Sequence, residues 1–437
     1  MINLFDWFDQ KAQDLYYSLE ISGFNHPTVV IHDDGFLPSL ILSPIQFFCQ
    51  VDKTQVERPL YFNQVPVPKY YRISGTNTKG EIHNLEQLVA NIFYANPSHR
   101  RFVKAVDWLD KDGFVRLTDH YNQYGWRFAQ TNLNMNKQAV LRTYFDQLGH
   151  EVLVENFVTG DITLNWKGEL KFFKNQSEFL AYYFREAELD YSSIWYNSLS
   201  TPFLTSHSIE GKGKDILFWQ EDMGDTIPGN MQLILTGGSP RTHKIIVQDK
   251  QAYQKLLNLL PDSQKDMVKQ LGYIYPSRKQ NDHRKKALVL TNSDQIESLD
   301  TLVKNLPEMH VCIGALTEMS ARLQSFGQFN NVTLYPNVSA QMIEQLFNEC
   351  DIYLDINHES EIVSAVRRAF ESNQAIFAFT NTVHDAQFVA QENIFKPEET
   401  ERFISVLKEL PNRFDQIIAL QREGSTSPAN YKNILNA

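Results

Sequence analysis

Over residues 287–379, short apolar runs alternate with helical patterns, and few folds accommodate such an alternation. The apolar runs, each predicting a buried strand, are Ala287–Leu290, Val311–Ile313, Val332–Tyr335, Asp351–Ile356 and Ala375–Phe379. The helical patterns are Asp294–Leu306, Gln341–Cys350 with Ser339 as its N-cap, and Glu361–Ser372. Because strands alternating with helices of about a dozen residues build parallel βαβ units, this part of the chain is predicted to be a doubly wound α/β domain.

Residues 51–184 show the different pattern of antiparallel β structure. Arg101–Trp108 and Phe114–Leu117 flank an Asp-Gly turn, which is a hairpin signal. The pattern recurs as far as Phe173, with Gly or Asp in the turns and no long helical pattern. These local pairings predict a β-meander.

Three apolar runs after residue 193 predict buried strands, namely Ile216–Trp219, Leu233–Thr236 and Lys244–Val247. The basic stretch Arg278–Lys286 is predicted to be a solvated linker. The predicted domains are a first Rossmann-like domain (1–50 and 190–277), a β-meander inserted in it (51–189) and a second Rossmann-like domain (278–419). For residues 420–437, packing back on the first domain is an open alternative.

Composition excludes several function classes. A net charge of −11 argues against a nucleic-acid partner, but it leaves a sugar or a Ser/Thr-rich peptide open. The sequence contains neither a dinucleotide-binding glycine motif nor a P-loop. Cys49, Cys312 and Cys350 are too far apart in sequence for a zinc motif, so no metal and no cofactor are expected.

The N-terminus begins Met1-Ile-Asn-Leu-Phe-Asp-Trp7, which lacks the basic and apolar regions of a signal peptide. No segment approaches the roughly 20 apolar residues of a membrane span. We therefore expect a cytoplasmic protein, and a peripheral position on the inner face of the cell membrane stays open.

The stretch Glu349–Phe379 resembles the nucleotide-sugar-binding domain of retaining GT-B glycosyltransferases. The resemblance implies two Rossmann-like domains facing across a cleft. Active members of that family carry two Glu residues eight positions apart, and these positions fall here on Ser360 and Arg368. They also carry Arg and Lys after the first strand of this domain to neutralise the diphosphate. The matching stretch, Leu290–Leu299 with Ser293 at its centre, has two acids and no cation.

Ser22–Pro38, the β-meander and Leu217–Met231 narrow the resemblance to one family. They are similar to the stabilising, non-catalytic subunits of O-GlcNAc transferases that modify serine-rich-repeat adhesins in the accessory Sec systems of Gram-positive bacteria. The resemblance implies a hetero-oligomer with a catalytic glycosyltransferase subunit of similar fold, with two copies of each as one option. The partner would bind UDP-GlcNAc, and this subunit would bind the unfolded Ser/Thr-rich polypeptide and dock through the meander.

We therefore expect no catalytic residue, and the candidate side chains fall into two sets. Candidate acceptor-peptide contacts are Trp219, Glu221, His243, His358, Glu359, Glu361, Arg368, Asn381 and Thr382. Degenerate donor-site positions are Ser293, Ser360 and Arg368.

Several candidates also have a purely structural interpretation. Trp219 is equally compatible with a buried core position, and His243 with a charged strand edge. Ser360 and Glu361 suit a helix start, as N-cap and first-turn acid. Asn381 and Thr382 also suit an ordinary turn.

Two other functions remain open. In the first, the chain is an active retaining UDP-sugar transferase with an atypical donor pocket. Glu359 or Glu361 would then act with a cation from Arg278, Lys279 or Arg284. In the second, the protein is purely architectural, and only the meander matters.

Overall fold

The computed structural model describes residues 1–436, which divide into two compact units. The first unit comprises residues 1–273 together with the chain from Thr426 onward, and the second comprises residues 274–425. Strands and helices are numbered separately in chain order. Among residues 1–436, no helix combines the length and apolar character that a membrane crossing requires.

The chain begins with the first strands of a parallel sheet. These elements are β1 (Ile2–Phe5), α1 (Gln10–Ile21), β2 (Thr28–Val30) and α2 (Pro44–Phe48). All four residues of β1 are buried, because this strand lies between two others. Asp9 begins α1, since its side chain accepts a hydrogen bond from the Ala12 backbone N–H at 2.9 Å.

A ten-stranded antiparallel sheet follows, and it confirms the predicted β-meander. Its strands are β3 (Tyr71–Gly75), β4 (Lys79–Asn84), β5 (Gln87–Tyr94), β6 (Val103–Leu109), β7 (Val115–Tyr121), β8 (Arg127–Leu133), β9 (Ala139–Phe145), β10 (Glu151–Asn156), β11 (Ile162–Trp166) and β12 (Glu169–Phe173). Each strand pairs with the next in sequence, from β3 to β12. Tyr144, Leu153 and Leu164 of its inner face join the buried core of the first unit. The meander is therefore packed onto the parallel sheet.

The remaining elements between the meander and residue 273 complete the first parallel sheet. They are α3 (Gln176–Glu186), β13 (Ile194–Tyr196), α4 (Thr201–Ser208), β14 (Asp215–Trp219), α5 (Gly229–Leu235), β15 (Thr242–Val247), α6 (Lys250–Leu259), α7 (Asp262–Lys265) and β16 (Val268–Gln270). The strand order is β16-β15-β14-β13-β1-β2, and every pairing is parallel.

Two predictions for this unit are wrong. Leu233–Thr236 is not a strand, because α5 runs through Leu235. Met231, Ile234 and Leu235 are buried at helical spacing, a pattern that a four-residue apolar run does not reveal. The stretch predicted to be entirely β also includes most of α3, whose Asn175 cap accepts from the Glu178 backbone N–H.

The second unit is a single parallel sheet flanked by helices, which confirms the predicted doubly wound domain. Its elements are β17 (Lys286–Thr291), α8 (Leu299–Asn305), β18 (His310–Ala315), α9 (Ala321–Gln324), β19 (Val332–Tyr335), α10 (Ala340–Glu349), β20 (Ile352–Asp355), α11 (Ala365–Glu371), β21 (Ala375–Phe379), β22 (Ile394–Phe395), α12 (Thr400–Glu409) and α13 (Phe414–Gln421). Ser339 caps α10 as predicted, accepting from the Met342 backbone N–H at 3.2 Å. All three cysteines are buried free thiols.

The last helix, α14 (Pro428–Leu435), belongs to the first unit. The Tyr431 hydroxyl donates to the Gly272 carbonyl at 3.1 Å, and the Lys244 ammonium donates to the Ile434 carbonyl at 2.6 Å. The chain therefore returns to its first unit after completing the second.

Candidate functional site

The strand order of the second unit locates its candidate site. The order is β19-β18-β17-β20-β21-β22, so the direction of strand succession reverses between β17 and β20. Open α/β sheets bind ligands at such a reversal, in the crevice outside the carboxyl ends of the strands. The loops that begin at Asn292 and at Ile356 form this edge.

These two loops pair with each other in extended form. Ile296 and Asn357 form an isolated antiparallel bridge. The Glu297 N–H donates to the Ile356 carbonyl at 2.8 Å, and the His358 N–H donates to the Gln295 carbonyl at 3.1 Å. Helix α8 consequently begins at Leu299 rather than at Asp294, which corrects the predicted start. The segment that would present a helix N-terminus to a phosphate is therefore used in backbone pairing.

Glu297, His358 and Asn381, here called the strand-end cluster, connect three strand ends. The Glu297 carboxylate accepts from His358 Nε2 at 2.9 Å and from Asn381 Nδ2 at 2.9 Å. Burial alone would raise the pKa of Glu297, but the hydrogen bonds from Asn381 and His358 outweigh it and lower that pKa. A carboxylate that stays charged at neutral pH thus occupies this edge.

Side-chain amides and hydroxyls join the same two loops. The Thr291 hydroxyl donates to Asn357 Oδ1 at 2.8 Å. Asn357 Nδ2 donates to Asn292 Oδ1 at 3.2 Å and to the Glu359 carbonyl at 2.9 Å, and Asn292 Nδ2 donates to Ser360 Oγ at 3.4 Å. These contacts satisfy one another and hold the two loops together.

Sequence reasoning missed His384, which follows β21. Its Nδ1 lies 2.6 Å from Asp355 Oδ1, and its Nε2 lies 2.6 Å from the Glu359 carbonyl oxygen. Since both ring nitrogens face acceptors, both carry hydrogen and the imidazole is cationic. The hydrogen bond to Asp355 is the largest contribution that raises the pKa of His384 to about 9. No sequence spacing signals this contact, because it joins two different strand ends.

A cavity of about 130 Å³ lies beside the start of α8, lined in part by Asp294, Ser298 and Asp300. Small-molecule sites usually measure roughly 300–1,000 Å³. The cavity is therefore too small for a nucleotide sugar, and its charged lining side chains are two acids and one cation, Arg322. No cluster of three or more potential metal-ligating side chains occurs among the described residues.

The degenerate donor positions are not all at the strand ends. Ser293 lies in the β17 loop, where its hydroxyl accepts from the Gln295 N–H at 3.0 Å, and Ser360 is exposed on the β20 loop. Arg368 instead faces α10, where it forms an ion pair with Glu344 and lies 4.6 Å from the Phe347 ring centroid. The structure thus places Arg368 away from the strand-end cluster.

The other candidates of the second unit divide by exposure. His358, Glu359 and Asn381 are exposed at the crevice. Thr382 is buried, and its hydroxyl donates to the Asp355 carbonyl at 2.7 Å, so it holds the turn.

Glu361 is half-buried and accepts from the Val366 N–H at 2.8 Å, while burial raises its pKa. The predicted helix start with Ser360 as N-cap is wrong. Helix α11 begins at Ala365, after Ser364 in the left-handed conformation. Four residues of the loop therefore separate Ser360 from the helix that it was expected to cap.

The basic segment 278–286 contains no buried residue, as expected of a solvated stretch, but its ion pairs anchor it to the second unit, which corrects the prediction of a linker. The Asp351 carboxylate binds Lys279 Nζ at 2.5 Å and Arg284 Nε at 2.8 Å, and Arg278 binds Glu371 at 2.7 Å. Asp351 immediately precedes β20 and so lies at the amino edge of the sheet. The neighbouring strand β17 has six residues and spans about 20 Å, which keeps these cations far from the carboxyl edge of the sheet. They are not available as substitutes in a donor pocket.

The candidates of the first unit lie at opposite edges of its sheet. Trp219 is buried, with 2% exposure, and its Nε1 donates to Glu221 Oε2 at 2.7 Å. Glu221 Oε1 accepts from the Ser198 hydroxyl at 2.7 Å, so this acid orders the loop after β13. His243 lies at the amino end of β15, where Nδ1 faces the Asp215 carbonyl at 2.9 Å. Burial of the Trp219 indole argues against its predicted peptide contact, and His243 is not part of the same site.

Four family models match the chain in succession. They are the GtfB N-terminal domain over residues 2–48, the GtfB middle domain over 71–174, the GtfB third domain over 176–259 and the GftB/GlyA-F C-terminal domain over 287–421.

A relative from Streptococcus agalactiae, the UDP-N-acetylglucosamine–peptide N-acetylglucosaminyltransferase stabilizing protein GtfB, is 48% identical over 437 residues. That alignment covers 100% of this chain and 99% of the relative. A chain in the crystal structure of a GtfA/B complex bound to UDP and GlcNAc superposes with a TM-score of 0.93 and 42% identity, over 100% of this chain and 99% of that one. The pneumococcal O-GlcNAc transferase GtfA, in complex with UDP and GlcNAc, superposes with a TM-score of 0.52 and 11% identity, over 100% and 98%. At that identity the likeness to GtfA shows the fold alone.

The two Rossmann-like units, with a β-meander added to the first, place the protein in the GT-B glycosyltransferase class. Within the class, the chain belongs to the GtfB family of stabilizing proteins.

Proposed function

We propose that this protein is a non-catalytic subunit of a glycosyltransferase complex. It stabilises and activates a catalytic partner of similar fold that transfers GlcNAc from UDP-GlcNAc to Ser and Thr. The name of the relative at 48% identity and the GtfA/B complex at 42% identity support this assignment. In the complex, this chain binds the unfolded Ser/Thr-rich acceptor polypeptide.

The observation that carries the non-catalytic role is the pairing of residues 295–297 with residues 356–358. In this pairing the Glu297 backbone N–H is hydrogen-bonded to the other loop, and the Glu297 carboxylate faces the strand ends. A phosphate about 5 Å from this carboxylate would be repelled by about 3 kcal/mol at an effective dielectric constant of 20. A nucleoside diphosphate therefore meets repulsion where an active transferase offers cations.

A neutral acceptor meets no such repulsion. His358, Glu359 and Asn381 expose donors and acceptors at one edge, suited to the backbone amides and hydroxyls of a Ser/Thr-rich chain. Such a chain offers little apolar area, so its binding needs many polar contacts along an extended surface.

The test is calorimetric titration of the purified full-length chain, first with UDP-GlcNAc and then with an unmodified Ser/Thr-rich repeat peptide. We expect heat from the peptide and none from the nucleotide sugar. A parallel assay measures the solubility and transfer activity of the catalytic partner with and without this chain, and we expect both to rise. Nucleotide binding by this chain alone, or a partner that needs no second subunit, would contradict the proposal.

A further inference from the structure

The first unit also has a reversal of strand order, between β1 and β13, and an exposed tryptophan lies beside it. Asp6 and Trp7 directly follow β1. Half of Trp7 (50%) is exposed, whereas Trp195 and Trp219 of the same unit are buried. An aromatic ring left open at the carboxyl edge of a parallel sheet lies where this fold class binds ligands.

The Trp7 ring is held by its neighbours. It stacks on the His32 ring, with centroids 4.5 Å apart and an interplanar angle of 26°. His32 is fixed in turn by Asp6, whose carbonyl accepts from the His32 N–H at 3.0 Å and whose carboxylate lies 3.4 Å from His32 Nε2. A ring that is already ordered loses little conformational entropy when a ligand covers it.

Asp6 also connects Trp7 to Glu221, a candidate identified from the sequence. Asp6 Oδ2 accepts from the Ser200 hydroxyl at 2.6 Å, and the Ser198 hydroxyl lies 3.0 Å from that of Ser200 and 2.7 Å from Glu221. Both acids therefore bind the same short loop after β13. A chain of hydrogen bonds therefore connects Asp6, the neighbour of Trp7, with Glu221.

The meander helps to position this surface. The loop after His32 is tied to it by the Asp34 ion pair with Lys104 at 2.7 Å. The Gln123 N–H donates to the Gly35 carbonyl at 2.8 Å, and a Cβ on Gly35 would lie 2.6 Å from the Tyr121 carbonyl oxygen. The close approach fixes the loop, and with it the ring on which Trp7 stacks.

The charges at this edge of the first unit restrict the class of ligand that it can bind. Asp6, Glu221 and Asp222 all lie at this edge, and Lys11 pairs with Asp222 at 3.7 Å. Such a surface repels anions and accepts hydrogen bonds from hydroxyls and amides. An indole face with acidic acceptors beside it fits a neutral, hydroxyl-rich polypeptide.

We propose that Trp7 is a direct contact residue for the Ser/Thr-rich acceptor polypeptide, an aromatic platform that His32 and Asp6 hold in place. This inference rests on the proposed acceptor-binding function and assigns it a residue outside the set identified from the sequence. Peptide planes and threonine methyl groups pack on the indole, and hydroxyls bond to the neighbouring acids.

The test compares Trp7→Ala and Trp7→Phe with the wild-type full chain in complex with its partner. We expect Trp7→Ala to weaken binding of an unmodified Ser/Thr-rich peptide by about tenfold, as for a hot-spot side chain. Trp7→Phe keeps a ring on His32 and is expected to lose less than about threefold. The matched control is Leu259→Ala, whose side chain is 42% exposed at the end of α6, on the opposite edge.

A spectroscopic readout separates contact from folding. Peptide binding is expected to protect the tryptophan emission of the wild type from acrylamide quenching, and Trp7→Phe is expected to abolish that protection while still binding. Stabilisation of the partner should not change in any variant. Wild-type peptide affinity in Trp7→Ala would overturn the role of Trp7 alone. No peptide binding by the wild type would overturn both this inference and the acceptor part of the proposed function.

Discussion

Removing the carboxyl group of Asp351 tests whether the basic segment 278–286 is built into the second unit. Asp351 has no exposed side-chain surface, and Lys279 is only 12% exposed. The carboxylate accepts from Lys279 Nζ at 2.5 Å and, in Arg284, from the backbone N–H at 2.9 Å, Nε at 2.8 Å and Nη2 at 3.1 Å. In Asp351→Ala, four donors lose this carboxylate at once, and Lys279 Nζ keeps only the Asn348 and Cys350 carbonyls.

The loss of stability in this variant follows from the burial of the cation that remains. Deleting one partner of a buried ion pair costs about 3–5 kcal/mol when the other charge stays buried. That charge is Lys279, which is 12% exposed, whereas Arg284 is 39% exposed and also pairs with Asp282. Burial raises the pKa of Asp351, but the hydrogen bonds from Arg284 and Lys279 outweigh it and lower that pKa. A depressed carboxyl pKa contributes stability that is present above the unfolded value of about 3.9 and is lost as the pH falls through the folded value. The deficit of Asp351→Ala should therefore be full at neutral pH and shrink in acid.

Urea denaturation measures the deficit with two probes. Far-UV circular dichroism reports both units, whereas tryptophan emission reports only the first, because all 6 tryptophans of the chain lie between Trp7 and Trp219. We expect the loss of stability in the transition followed by circular dichroism and not in the one followed by tryptophan emission. The matched control is Glu308→Ala, which removes an exposed partner of Lys285 in the same basic segment and should change nothing measurable. A cost for Asp351→Ala below about 1 kcal/mol would refute the assignment of a buried, uncompensated charge.

Two further substitutions test the backbone and a cationic histidine. Gly35→Ala should destabilise the first unit by clearly more than about 1 kcal/mol, since its Cβ would lie 2.6 Å from the Tyr121 carbonyl oxygen at a φ of +86°. Gly113→Ala, at a φ of +81° in open space, isolates the conformational cost, and equal losses in urea would contradict the clash. The raised pKa of His384, about 9, implies stability that is full below its unfolded value of about 6.5 and lost as the pH rises through 9. The stability difference between wild type and His384→Gln should therefore fall between pH 7 and pH 10, and a difference independent of pH would argue against the ion pair with Asp355.

The elements that sequence predicted well are those decided by local pattern. The run at Ala287–Leu290 lies inside β17, and Ser339 caps α10 as expected, because alternation and capping chemistry are local. The starts of α8 and α11 were predicted too early. Residues 295–297 pair instead with residues 356–358, about sixty positions away, and no local window contains that contact.

The features of the candidate site also divide into those that local sequence shows and those that depend on packing. The missing cations after β17 can be read from Leu290–Leu299 directly. The direction of Arg368 toward Glu344, the burial of Trp219 and the exposure of Trp7 depend on how neighbouring elements pack. Charged residues in the basic segment were interpreted as solvated, because a buried partner such as Asp351 looks like any surface acid in sequence.

Backbone as well as side-chain hydrogen bonds join the two loops at the carboxyl edge of the second unit. Separating these loops would break the two backbone hydrogen bonds between residues 295–297 and 356–358. It would also break the hydrogen bonds from His358 and Asn381 to Glu297. At about 1 kcal/mol each, these four contacts total roughly 4 kcal/mol, so a ligand that could bind only by separating the loops would lose about a thousandfold in affinity. The same contacts hold His358 and Asn381 in fixed positions, which is the order that the proposed binding of a neutral polypeptide at this edge requires.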